Sequence, residues 1–178
     1  MIVLAVNVNS GIYKFVLLLH IMCAIVGFGA VFLNGLYAAQ TKARATNPNA
    51  ALAISEANYA VSNVAEKLIY AVPILGIILI PLSDKAWKFS QSWISIALLL
   101  YIVGIAVSHA VMIPGHKRMN ALMREIVAAG PPAAGAPAGP PPQVAEMEQV
   151  GKRLAAGGLF LDVLLIVIVY LMVFKPGV

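Results

Sequence analysis

Charge is scarce in this sequence. Only 11% of its 178 residues are Asp, Glu, Lys or Arg, while 61% are hydrophobic; a soluble domain carries about a quarter of its residues charged. Too few charges remain to coat a water-exposed surface, and a mean hydropathy of +0.91 makes lipid the natural solvent. Cysteine is nearly missing as well. Cys23 stands alone, so the chain builds no internal disulfide and no cysteine-rich zinc site; within its apolar run it reads as a small buried hydrophobe. Aromatics make up 8% and do not alternate with basic residues, which argues against a platform for single-stranded nucleic acid. The net charge of +5 is better explained by basic residues flanking membrane spans. There is no P-loop, dinucleotide fingerprint, HExxH or G-x-S-x-G, and the polar segments are too short for an attached catalytic domain. No enzyme is legible here.

What the sequence has is long apolar runs, four of them. Each reaches the roughly 20 residues that cross a bilayer, at about 14–39, 59–82, 92–113 and 154–174. The expected fold is therefore all-α: a polytopic membrane protein, one four-helix domain. The first run, Phe15 to Leu36, is too long for the apolar part of a secretory signal, so it is expected to be retained as a span. Asn47-Pro48-Asn49 reads as a turn with Asn49 capping the next helix. Pro73 should kink the second span. Trp87 and Trp93 read as interfacial anchors. Pro114-Gly115 closes the third span, and Met119 to Ala129 then forms a short amphipathic helix on the interface. Residues 130–143, almost all Pro, Ala and Gly, read as a flexible linker. Lys42, Arg44, Lys117, Arg118, Arg124, Lys152 and Arg153 gather on one side, against Lys14, Lys85, Lys88 and Lys175 on the other. The richer side is expected in the cytoplasm, which puts 40–58 and 114–153 inside and both termini outside.

The few ionisable residues within the spans mark where function would sit. On the second span Asn63, Glu66, Lys67 and Tyr70 recur at i, i+3, i+4 and i+7, hence on one helical face. Counting depth at 1.5 Å per residue places Glu66 and Lys67 roughly 5 to 7 Å inside the midplane, with Asp162 near it and His109, Asn34 and Tyr70 in overlapping bands. The expectation is a buried polar network of Glu66, Lys67, His109 and Asp162, with Asn34 and Tyr70 nearby. Its members would pair between helices or pass a proton. His20 lies on the opposite side of the midplane. It and His109 differ in depth by roughly 18 Å, too far to be the two axial ligands of one haem. No metal site is expected.

A histidine early in span one (His20), a glycine-rich continuation (Gly27, Gly29), a charged start to span two (Glu66, Lys67), and His109 followed by Pro114 to His116 give the chain a likeness to a bacterial family. It resembles predicted integral membrane proteins with four spans and no assigned activity, over most of residues 13 to 175. More distantly, the layout is similar to copper-resistance membrane proteins and to the haem-dependent membrane protoporphyrinogen oxidase. The latter resemblance implies that His20 is a haem ligand. That family also uses a lysine in its third span, where this chain carries His109. The resemblance implies a bacterial plasma-membrane protein. Three functions follow as expectations: an accessory or structural subunit, a haem b or quinone-linked redox protein, or a proton-coupled transporter or channel component. Its partners would be the lipid bilayer and either a second copy or a larger membrane complex, with no nucleic acid.

Overall fold

The computed structural model describes residues 6–130 and 142–177. The chain is an all-α, four-helix membrane-spanning bundle, built from α1 (Gly11–Phe32), α2 (Asn34–Ala43), α3 (Pro48–Leu82), α4 (Ser92–Val107), a π turn (Ser108–Met112), α5 (Ile113–Ala129) and α6 (Pro142–Phe174). These join into four rods, Gly11–Ala43, Pro48–Leu82, Ser92–Ala129 and Gln143–Phe174, each long and apolar enough to cross a membrane. A rod of 32 to 38 residues is roughly 50 Å long at 1.5 Å per residue, against a hydrocarbon core of about 30 Å. Each helix therefore runs well past the apolar run that the sequence marks. The proposed linker at 130–143 falls almost wholly outside the described residues.

Local chemistry explains the helix ends. Ser10 opens α1: its Oγ accepts from the Tyr13 N–H at 3.3 Å and donates to the Asn7 carbonyl at 2.7 Å. At α3 the cap is Asn47, not Asn49. Its Oδ1 accepts from the Ala50 N–H at 3.2 Å, with Pro48 at the first helical position, where no N–H is needed. After α3 the chain turns through Asp84 and Lys85 at φ 51° and 66°. Ser83 ties this turn down, donating to the Ile80 carbonyl at 2.7 Å and accepting from the Trp87 N–H at 2.9 Å.

Two sequence expectations change. Pro114-Gly115 does not end the third rod. Pro114 cannot donate to the carbonyl one turn back, and the chain absorbs the gap in the π turn, where the Ile113 N–H bonds the Ser108 carbonyl; an inserted π turn is a usual way to carry such a register change. The amphipathic stretch after Met119 is present as the second half of α5, continuous with α4. α3 runs unbroken through Pro73 to Leu82.

The side chains pack in two groups. The first takes the described parts of Met1–Val31, Ser62–Val103 and Leu164–Val178. Its core is Trp93, Ile94, Ala97 and Leu171, with Ile80, Leu98 and Met172 against it. Trp93 is thus a core residue, only 6% exposed, and not the interfacial anchor its flanking position suggests. It meets Trp87 edge to face at 5.5 Å, a favoured arrangement for aromatic quadrupoles. The Lys175 ammonium lies 4.2 Å over the Trp87 ring, a cation–π contact, and the Trp87 indole N–H donates to the Tyr13 hydroxyl at 2.8 Å. In the same group Gly27 brings α1 against α3. A Cβ there would stand 3.1 Å from the Ile69 nitrogen and 3.2 Å from the Ala65 carbonyl oxygen, the close approach that small residues give membrane helices.

The second group takes Phe32–Val61 and the described parts of Gly104–Val163. Ala51, Met112, Leu122 and Met123 are buried in it. The π turn with α5 approaches α6 through glycines: a Cβ on Gly115 would stand 2.7 Å from Leu154 Cδ2, and one on Gly157 2.9 Å from Met112 Sδ.

Candidate functional site

In the first group the polar side chains converge on α3. His20 Nδ1 lies 2.8 Å from the Val72 carbonyl. A carbonyl only accepts, so Nδ1 carries the proton and, in the neutral ring, Nε2 keeps a lone pair. Gly76, one turn beyond Val72, makes the approach possible, since a Cβ there would stand 3.2 Å from His20 Cε1. One turn back, the Tyr101 hydroxyl donates to the Ile69 carbonyl at 3.3 Å. Ile69 is four residues before Pro73, so its carbonyl is the one the proline leaves without a helical donor. Beside it the Tyr70 hydroxyl donates to Glu66 Oε1.

In the second group the Ser55 hydroxyl donates to Asn120 Oδ1, and the Asn120 side chain is buried. One turn on along α3 is Asn58, and one turn back along α5 is His116. Asn58 Oδ1 and His116 Nε2 are buried and have no hydrogen-bond partner among the described residues. Below them Arg124 pairs with Glu56 at 2.6 Å. Arg118 forks onto Glu146, Nε to Oε1 at 2.6 Å and Nη2 to Oε2 at 2.7 Å, and reaches Glu125 at 3.6 Å. Between the π turn with α5 and the start of α6 lies an open groove of about 400 Å³.

Of the residues singled out in the sequence, the structure joins Tyr70 to Glu66. Both are half-buried, as are His20, Asn34 and Asp162; Lys67 and His109 lie at the protein surface. His109 sits in the π turn, its Nδ1 3.0 Å from the Ile105 carbonyl of its own helix. Among the described residues no three His, Cys, Asp or Glu side chains gather as a metal site. Sequence reasoning missed Tyr101, Ser55, Asn58 and Asn120. Their signal was available, since Ser55 and Asn58 at i, i+3 and His116 and Asn120 at i, i+4 each put two polar groups on one helical face.

A family model described as "Predicted integral membrane protein (DUF2269)" matches residues 14–176. No curated protein matches the chain, and no solved structure matches it. The distant likenesses to copper-resistance proteins and to the haem-dependent oxidase therefore gain nothing from either comparison.

Proposed function

We propose that this chain, which belongs to the family of predicted integral membrane proteins (DUF2269), is an accessory or structural subunit of the bacterial plasma membrane. It works by presenting a rigid helical surface to another membrane protein, a second copy or a larger complex. The observation that carries this reading is the His20–Val72 bond at 2.8 Å. The histidine of the first span is used to fasten one helix to another, and Tyr101 fastens Ile69 in the same way. Outward-facing Leu99, Ile102, Ile166 and Val173 are all more than half exposed, which leaves broad apolar faces for lipid or for partner helices. The test is purification of the full chain from its own membranes in mild detergent, with mass measurement of the intact particle and an absorption spectrum. An assembly of fixed stoichiometry with only protein absorbance is expected. A lone monomer carrying bound pigment would overturn the proposal.

A second reading rests on the other nitrogen of the same ring. A histidine that ligates a metal commonly gives its second N–H to a backbone carbonyl, which fixes the ring. The Val72 carbonyl does this for His20 and leaves Nε2 with the lone pair a haem b iron would take, the basis for a haem- or quinone-linked redox role. A Soret band in the purified protein, lost in His20→Ala, would favour it; a band that survives that substitution removes His20 as the ligand. A proton-coupled carrier or channel role would run through Glu66 and its Tyr70 partner, and calls for Glu66→Gln to abolish proton uptake into vesicles holding the protein.

A further inference from the structure

We propose that the groove between the π turn with α5 and the start of α6 is a binding site for one anionic glycerophospholipid, whose phosphate is held by Arg153.

The groove is about 400 Å³ and is lined by Ala110, Val111, Val150, Arg118, Glu146 and Arg153 among others. Its charges are not equivalent. Arg118 is saturated: it forks onto Glu146 and reaches Glu125. Arg124 is held by Glu56, and Lys152 by Glu148 at 2.8 Å. The acids of this region are thus all engaged, while Arg153 has no ion pair among the described residues. It leaves a guanidinium free in a concave site, and a guanidinium matches phosphate oxygens in bidentate fashion.

The order of groups along the groove matches that of a phospholipid. Arg153 lies seven residues beyond Glu146 on α6, roughly 10 Å along its axis. It stands immediately before the apolar run that begins at Leu154. At that level Gly115 faces Leu154, and Val111 faces Gly157 one turn farther into the apolar run, with Ala110 beside it in the groove lining. A phosphate on Arg153 would send its acyl chains past Ala110 and Val111 toward Leu159 and Phe160, which are 67% and 48% exposed. The headgroup would lie back over Val150 toward the Arg118–Glu146 pair. Basic pockets between membrane helices hold anionic headgroups in this manner.

The test is native mass spectrometry of the full chain in mild detergent with equimolar phosphatidylglycerol and phosphatidylcholine. The wild type should retain a single phosphatidylglycerol about fivefold more than phosphatidylcholine, the preference one arginine near a lipid surface supplies. Arg153→Gln should bring the ratio close to one, and Val150→Trp, which fills the groove and keeps every charge, should do the same. Lys117→Gln, which removes a neighbouring cation that does not line the groove, should leave it unchanged. No preference in the wild type, a preference that survives Arg153→Gln, or one that Lys117→Gln removes equally would each overturn the proposal. So would displacement of the lipid by millimolar inorganic phosphate, which would make the site one for the free anion.

Discussion

The hydroxyl of Tyr101 on α4 donates to the carbonyl of Ile69 on α3 at 3.3 Å. That carbonyl is four residues before Pro73 and has lost its helical donor to the proline ring. In hydrocarbon no water can replace the missing bond. A neighbouring helix therefore supplies it, and the proline becomes a point of attachment between two spans.

This pairing makes a double-substitution prediction. Tyr101→Phe should lower stability in detergent by about 0.6 kcal/mol, the usual worth of a hydrogen bond between membrane helices. In a Pro73→Ala background the Ile69 carbonyl regains its own donor, so the same Tyr101→Phe change should cost close to nothing. Unfolding titrations of the four proteins measure the coupling. An equal cost in both backgrounds would show that Tyr101 does not act through this carbonyl.

Gly27 and Gly29 lie two residues apart on α1 and should respond oppositely. A Cβ on Gly27 meets the Ile69 and Ala65 backbone, while one on Gly29 meets nothing within 4 Å. Gly27→Ala should loosen the α1–α3 contact, and Gly27→Leu should cost about 1 to 3 kcal/mol through overpacking. Gly29→Ala should be at least as stable as the wild type, because alanine is the better helix former. Thermal unfolding of the three variants reads the difference, and a loss at Gly29 matching that at Gly27 would refute the close approach.

Asp162 is half-buried in the apolar run of α6. An acid in that setting is retained for a polar partner or a solvated position. Asp162 has no hydrogen bond or ion pair among the described residues, so its polar partner would come from outside this chain. In the native assembly Asp162→Leu is expected to reduce thermal stability by about 1 kcal/mol, the scale of one lost hydrogen bond, while Asp162→Asn keeps most of it. Unchanged melting of the leucine variant would reduce Asp162 to a bystander.

Orientation is tested on exposed connections. With Cys23→Ala as background, a cysteine at Ala45, in the basic α2–α3 connection, should react with an impermeant maleimide only after the cells are opened. One at Ser90, between α3 and α4, should react in intact cells. The reverse pattern would invert the topology inferred from the basic residues.

Much of the fold was readable because its causes are one-dimensional. Chain length, the absence of charge and the spacing of apolar residues dictate four membrane helices, since lipid offers the backbone no other partner than itself. Helix ends were less legible. Asn47 and Asn49 flank the same proline, and only the geometry shows that the first of them caps. Pro114-Gly115 carries a stop signal that the π turn overrides, and Trp93 has the flanking position of an anchor but packs in the core.

The sequence alone determined that this protein lives in lipid, how many times it crosses, and which few polar residues it carries there. Each of these follows from transfer free energies that act residue by residue. Only the tertiary structure decided what those residues touch: His20 with Val72, Tyr101 with Ile69, Ser55 with Asn120, and Arg153 with no ion pair among the described residues beside a saturated Arg118. Such pairings depend on which faces of separate helices meet. Helix-to-helix register is set by glycine contacts and side-chain packing across the fold, which no local pattern in the chain encodes.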